Sequence, residues 1–314
     1  MAKMLISTLA FLRHAVRVLT LCATPTCYDY WPARVSALGR PALRSHWSAL
    51  RWADIVCNYL SLRAARPELL LHRRVIFWCH TYVSHSSLSG RLKSWALNRH
   101  TTYAEIKYLV DALPSPATTL IDRNASDIYK VWGQTKRPEI DSLFTGTLAR
   151  GKQPHPVLYG EAELVARSLS VRAVMIGNGA EMPNLANQIC KNNHHHSITL
   201  VGSLSPHMIV NYMQRSRCLL TQSDWGESFG LSAIKGIACG CEIINTDDDG
   251  MPEAIDNCCH IISTKDPGAF KQKMKEARSG QLEAKVNTAQ RHLLRYTPTA
   301  FAQFWPIAIA MVMS

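Results

Sequence analysis

Residues 218–255 read CLLTQSDWGESFGLSAIKGIACGCEIINTDDDGMPEAI. The order is apolar run, glycine turn, helical pattern, apolar run, acidic turn. Residues 218–221 are the short continuous apolar run of a fully buried parallel strand. Asp224, Gly226 and Ser228 interrupt it. Over 229–238, Leu231, Ile234 and Ile237 recur on one helical face. Gly240 stands where a helix stops, and Ile243 and Ile244 open the next strand. Such a unit sets a helix N-terminus at the carboxyl end of a parallel sheet. Backbone N–H groups and the helix dipole make that end an anion site, suited to phosphate. Glu227 stands just ahead of the helix, where a fixed carboxylate meets sugar hydroxyls. Its plainer role is a negative charge at a helix N-terminus. Asp247, Asp248 and Asp249 read as a turn that caps the next helix, with Glu253 in that helix's first turn.

This segment resembles the donor-binding half of retaining family 4 glycosyltransferases. That family carries a serine, then Glu-x-Phe-Gly-Leu, a helix ending Ala-Cys-Gly, and a Gly-x-Pro-Glu turn. The matches are Ser223, Glu227, Phe229, Gly230, Leu231, Ala238, Cys239, Gly240, Gly250, Pro252 and Glu253. One position departs. The family's second glutamate, which holds the ribose hydroxyls, falls on Lys235. A lysine donates hydrogen bonds and accepts none, so the resemblance implies altered nucleotide recognition there.

The resemblance continues upstream. Residues 142–148, SLFTGTL, read as a strand running into a glycine turn. Family members have Gly-Arg-Leu here and a lysine six residues past the glycine, and the arginine and lysine hold the donor diphosphate. Gly146 and Lys152 match; the arginine position is Thr147, with Arg150 close by. Residues 173–179, AVMIGNG, match the next strand and turn. Residues 198–203, ITLVGS, match the strand whose following loop, at Ser203 and Leu204, cradles the base.

Length and composition suit two α/β domains. The chain has 314 residues, 47% of them apolar, and ten cysteines. No Cys-x-x-Cys pair occurs. Most cysteines lie inside apolar runs, the signature of buried thiols in a reducing cytosol. Residues 1–100 hold 14 lysines and arginines against three acids, a net +11 of the total +12. The bland reading is a solvated basic face. The sharper one is attraction to an anionic membrane surface or an anionic lipid-linked acceptor. No nucleic-acid-binding motif accompanies the charge.

The first half is less regular. Residues 3–15 have helical spacing and 16–22 read as a strand. In the family an opening strand and glycine-rich loop precede this pair, so the N-terminal domain is expected to lack its first strand. Residues 53–59 and 75–80 read as buried strands. His80 closes the second, and family members have a histidine at this strand end near the donor sugar and its phosphate. An imidazole there stabilises a leaving diphosphate; its plainer role is a loop hydrogen bond. His194, His195 and His196 read as a solvated loop, since three adjacent side chains cannot all face one ion. No apolar run reaches the ~18–20 residues needed to span a bilayer. Residues 301–314 are apolar but short and contain Pro306; the resemblance makes them a last helix returning to the first domain.

The fold implied is GT-B, with two Rossmann-like domains of parallel sheet. Residues 1–135 form the acceptor-side domain, 140–295 the nucleotide-sugar domain and 296–314 the returning helix. The activity implied is transfer of a sugar, with retention, from a nucleotide diphosphate-sugar to a glycan or lipid-linked glycan hydroxyl. Glu227, His80 and Lys152 are the catalytic candidates. Gly146, Ser203, Leu204, Ser223, Phe229, Gly230, Leu231 and Lys235 are the donor-binding candidates. The resemblance implies no metal and no cofactor beyond the donor itself. The place implied is the cytoplasm, including the membrane surface. Lys235, Thr147 and the missing strand support an alternative: an inactive glycosyltransferase-like protein that binds a partner subunit. A nucleotide-sugar epimerase on the same fold lacks an extra acid–base pair.

Overall fold

The computed structural model describes residues 5, 8–9, 13–21, 26–30, 33–38, 43–58, 74–79, 91–93, 95, 101–104, 111, 118–121, 138–166, 171–221, 230–247, 251–263, 267–279 and 286–314. The chain divides into two units, Met1–Ala125 with Tyr296–Ser314, and Ser126–Arg295.

The second unit is built on a six-stranded parallel sheet. Its strands are β8 (Ile140–Thr145), β9 (Ala173–Ile176), β10 (Ile198–Gly202), β11 (Ser216–Thr221), β12 (Glu242–Thr246) and β13 (His260–Ile262). The order across the sheet is β10-β9-β8-β11-β12-β13. In chain order that is third, second, first, fourth, fifth, sixth: the doubly wound arrangement, whose direction of winding reverses between β8 and β11.

Helices α2 (Pro154–Ala166), α3 (Met182–Lys191), α4 (Pro206–Gln214), α5 (Leu231–Ala238), α6 (Met251–Ile255), α7 (Pro267–Ser279) and α8 (Val286–Leu293) complete the unit. Helices cover both faces of the sheet, so successive residues such as Leu143 and Phe144, Leu219 and Leu220, and Ile243 and Ile244 are all buried. Phe144, Met175, Cys218, Leu220 and Ile244 are buried in one cluster with Val157 and Leu158 of α2 and Met274 of α7. Burying each such side chain stabilises the fold by about 1.5–3 kcal/mol. The expected end of α5 is present: Gly240 N–H donates to Ile237 O at 3.0 Å and Cys241 N–H to Gly236 O at 2.9 Å, the two bonds of a Schellman cap.

The first unit has a four-stranded parallel sheet, β4 (Ile55–Asn58), β5 (Arg74–Cys79), β6 (Thr101–Ala104) and β7 (Thr118–Ile121), in that order. A separate three-stranded mixed sheet precedes it in the chain: β1 (Arg17–Leu21) runs parallel to β3 (Ala33–Leu38), which pairs antiparallel with β2 (Thr26–Tyr30). The hairpin β2–β3 and the strands β6 and β7 have no counterpart in the sequence reading. Helix α1 is Leu43–Trp52 and helix α9 is Pro298–Met313. Thr297 caps α9, its hydroxyl accepting from Ala300 N–H at 3.1 Å. Phe301, Trp305 and Ala308 of α9 are buried with Leu5, Ile76, Tyr103 and Leu120. Trp305 stacks on Tyr103 at 5.6 Å between ring centroids. Both large sheets are parallel, and the class is α/β.

Candidate functional site

In doubly wound sheets the ligand crevice opens at the carboxyl ends of the strands where the winding reverses. Here those strands are β8 and β11, paired in register with Leu143 beside Leu219. After β8 comes Gly146, then a single 3-10 turn, Arg150–Lys152, then α2. After β11 the described chain resumes at Gly230, which starts α5. Gly146, Lys152, Gly230 and Leu231 therefore share the crevice end of one sheet. Ser203 and Leu204 follow β10 at the same end, two strands further along.

Backbone bonds knit the loops after β8, β9 and β10. Gly146 N–H donates to Ile176 O at 3.0 Å, Leu148 N–H to Asn178 O at 3.0 Å and Gly177 N–H to Gly202 O at 2.9 Å. A Cβ on Gly177 would lie 1.8 Å from the carbonyl oxygen of Gly146. Only glycine lets these two loops meet, which is why the strand before it ends in Gly-Asn-Gly.

The sequence reading placed Arg150 near the diphosphate position vacated by Thr147. The structure gives its charge a partner. Arg150 Nε lies 3.3 Å from Glu181 Oε1, and the other oxygen of Glu181 lies 2.8 Å from His155 Nε2. The hydrogen bond from His155, with those from Arg150 and Asn184, holds the Glu181 carboxyl below its usual range. Lys152 is half-buried on the same turn.

Helix α5 begins at Leu231, close to the expected start near Phe229, and Gly230 ahead of it is left-handed, with φ of 61°. Lys235 stands in the last turn of α5, where a cation also suits the helix dipole. It is half-buried; burial pushes the nearby Cys239 thiol up to about 12, and the Lys235 charge offsets part of that rise. His80, Ser223, Glu227 and Phe229 lie outside the described residues.

Sequence reasoning missed one buried carboxyl. Glu161 of α2 is buried, accepts a hydrogen bond from Ser142 Oγ of β8, and has its second oxygen unpartnered. Burial raises its pKa from 4.5 to about 8. The helical period gave the signal: Glu161 follows Val157 by four residues and Leu158 by three, on the apolar face. Residues 194–196 form the turn between α3 and β10. Among the described residues, no three His, Cys, Asp or Glu side chains are grouped to hold a metal ion. Cys218, Cys239, Cys241, Cys258 and Cys259 are buried.

Residues 132–292 match the family model described as glycosyl transferases group 1. No curated protein matches the chain in sequence. Solved structures share its fold. Anabaena HepE in complex with UDP and glucose superposes with a TM-score of 0.79 at 15% identity, over 98% of this chain and 95% of that one. Sucrose-phosphate synthase from Thermosynechococcus elongatus gives 0.78 at 15% identity, over 97% and 90%. A glycosyltransferase from Rickettsia africae gives 0.77 at 14% identity, over 99% and 94%. The shared fold is GT-B.

Proposed function

We propose that this chain, which belongs to the glycosyl transferases group 1 family, transfers a sugar from a nucleotide diphosphate-sugar to a hydroxyl of a glycan or lipid-linked glycan, with retention. One observation carries the reading: the winding of the sheet reverses between β8 and β11, and the loops after those strands bear Lys152 and the N-terminus of α5. A lysine and a helix N-terminus at one crevice suit a diphosphate. Catalysis at such a site is positioning together with electrostatic stabilisation of the departing diphosphate. Glu227 orients the donor sugar and His80 assists the leaving group, the roles the family resemblance implies. Ser203 and Leu204 flank the base. The acceptor is met at the membrane surface on the cytoplasmic side, in keeping with the basic first unit and with the absence, among the described residues, of a helix long and apolar enough to cross a membrane. The donor binds without a metal.

Lys152→Ala is expected to weaken binding of UDP-glucose, used as probe, by ~1.5–3 kcal/mol, the scale of a charge-assisted hydrogen bond. Titration calorimetry on both proteins measures it, and equal affinities would remove Lys152 from the site. Product anomers read by NMR test retention.

A second reading, a non-catalytic partner subunit, draws on one feature: Arg150, the arginine nearest the position of Thr147, is paired with Glu181. Lys235→Glu separates the two readings. Restoring an acceptor for ribose hydroxyls is expected to tighten nucleotide-sugar binding several-fold, against ~0.3–1 kcal/mol of helix stability lost through the dipole. Weaker binding or lost transfer in this variant would make Lys235 a working donor ligand.

A further inference from the structure

Helix α9 contains no charged residue over its 16 positions. A helix apolar all round is normally buried on every side or lodged in lipid. This one is buried on one face only. Phe301, Trp305 and Ala308 pack inward, whereas Pro306, Ile307, Ala310 and Met311 face outward at helical spacing. Ile307 is 62% exposed and Met311 52%. An ordinary solvent face would carry lysines and glutamates at these positions.

The end of α9 lies beside a basic corner with a tryptophan. Arg74 at the start of β5 donates from Nη2 to Met313 O at 3.2 Å. Arg74 pairs in register with Ile55, the first residue of β4, and α1 ends three residues earlier at the exposed Arg51 and Trp52. Trp52 is 41% exposed. This corner is at the amino ends of the strands, opposite the carboxyl ends where ligands of parallel sheets bind.

The charge of the chain is concentrated in this unit. Residues 1–125 and 296–314 hold 16 lysines and arginines against six acids, a net +10 of the total +12. A second copy seated on α9 would bring a like-charged unit against it. An anionic bilayer offers the complementary charge together with an apolar phase for Ile307 and Met311, and a tryptophan beside arginines suits the headgroup level.

We propose that the outward face of α9, with Arg51, Trp52 and Arg74 at its end, docks this chain on an anionic lipid surface. The inference rests on the membrane-side acceptor in the reading above. Its test is independent of transfer.

The full chain is sedimented with vesicles of phosphatidylcholine alone and of phosphatidylcholine with phosphatidylglycerol. The parent binds the anionic vesicles at least ten-fold more tightly than the neutral ones, and salt weakens the binding. Ile307→Glu with Met311→Glu, both on the outward face and outside the core, lowers the partition coefficient at least ten-fold. The circular dichroism and the UDP-glucose affinity of that variant match the parent's. The proposal is overturned if the parent ignores both vesicles, prefers neither, or loses nothing on substitution. It is also overturned if ultracentrifugation shows a dimer that the same substitutions dissolve. Vesicle binding without any nucleotide binding would instead count against the transferase reading and leave the surface standing.

Discussion

Gly177→Ala is expected to destabilise the second unit by ~3 kcal/mol or more, the upper range for forced overpacking. The new Cβ would lie 1.8 Å from the carbonyl oxygen of Gly146, and backbone atoms on both sides leave no side chain to swing away. Relief requires the loops after β8 and β9 to part. That breaks the bond from Gly146 N–H to Ile176 O and displaces the turn bearing Lys152. Gly202→Ala is the control. Its φ of 80° is also left-handed, yet nothing lies within 4 Å of its Cβ position, so the cost is only the ~1 kcal/mol of the backbone conformation. Amide exchange at β8 and β9 measures the difference. Equal effects at the two positions would mean that the loops do not touch in solution. UDP-glucose affinity is expected to fall in Gly177→Ala and to hold in Gly202→Ala.

The pH dependence of stability is expected to carry the mark of Glu161. Its carboxyl is raised to about 8 in the folded protein, against 4.5 as the ordinary value. Below pH 4.5 both states are protonated and the group contributes nothing. Between pH 4.5 and 8 the unfolded chain loses this proton while the folded chain keeps it, so stability falls as pH rises. Above about pH 8 both are ionised and the decline ends. At 1.36 kcal/mol per unit the whole loss is on the order of 3–5 kcal/mol. Glu161→Gln cannot ionise and removes this slope. It costs ~1–3 kcal/mol at pH 5, because the amide leaves a buried donor without a partner. The variant is therefore less stable than the parent at pH 5 and equal or more stable at pH 8. Urea midpoints across that range measure the crossing, and parallel curves would mean that Glu161 is ionised throughout.

Much of the second unit was legible from local pattern. The runs at 142–145, 173–176, 198–202 and 218–221 are rich in adjacent apolar residues, and each became part of a strand of the parallel sheet. Gly240 ended α5, and Pro306 did not prevent α9, where it occupies the outward face. Polar strands were harder. Thr101–Ala104 and Thr118–Ile121 contain too few apolar residues to stand out, and only pairing with β5 and with each other makes them strands. The hairpin β2–β3 is defined by the same kind of distant partner.

By itself the sequence determined the α/β class and the order of the main strands and helices of the second unit with their glycine turns. Those follow from period and turn chemistry, both local properties, whereas the choice of Lys152 came from the family resemblance. The tertiary structure alone decided the rest. It reversed the winding between β8 and β11, brought Gly177 against Gly146, paired Arg150 with Glu181, and enclosed Glu161 beside Ser142. Each joins residues 19 or more positions apart. Their contact depends on how helices close over a sheet, and neither partner's own neighbourhood in the chain encodes it.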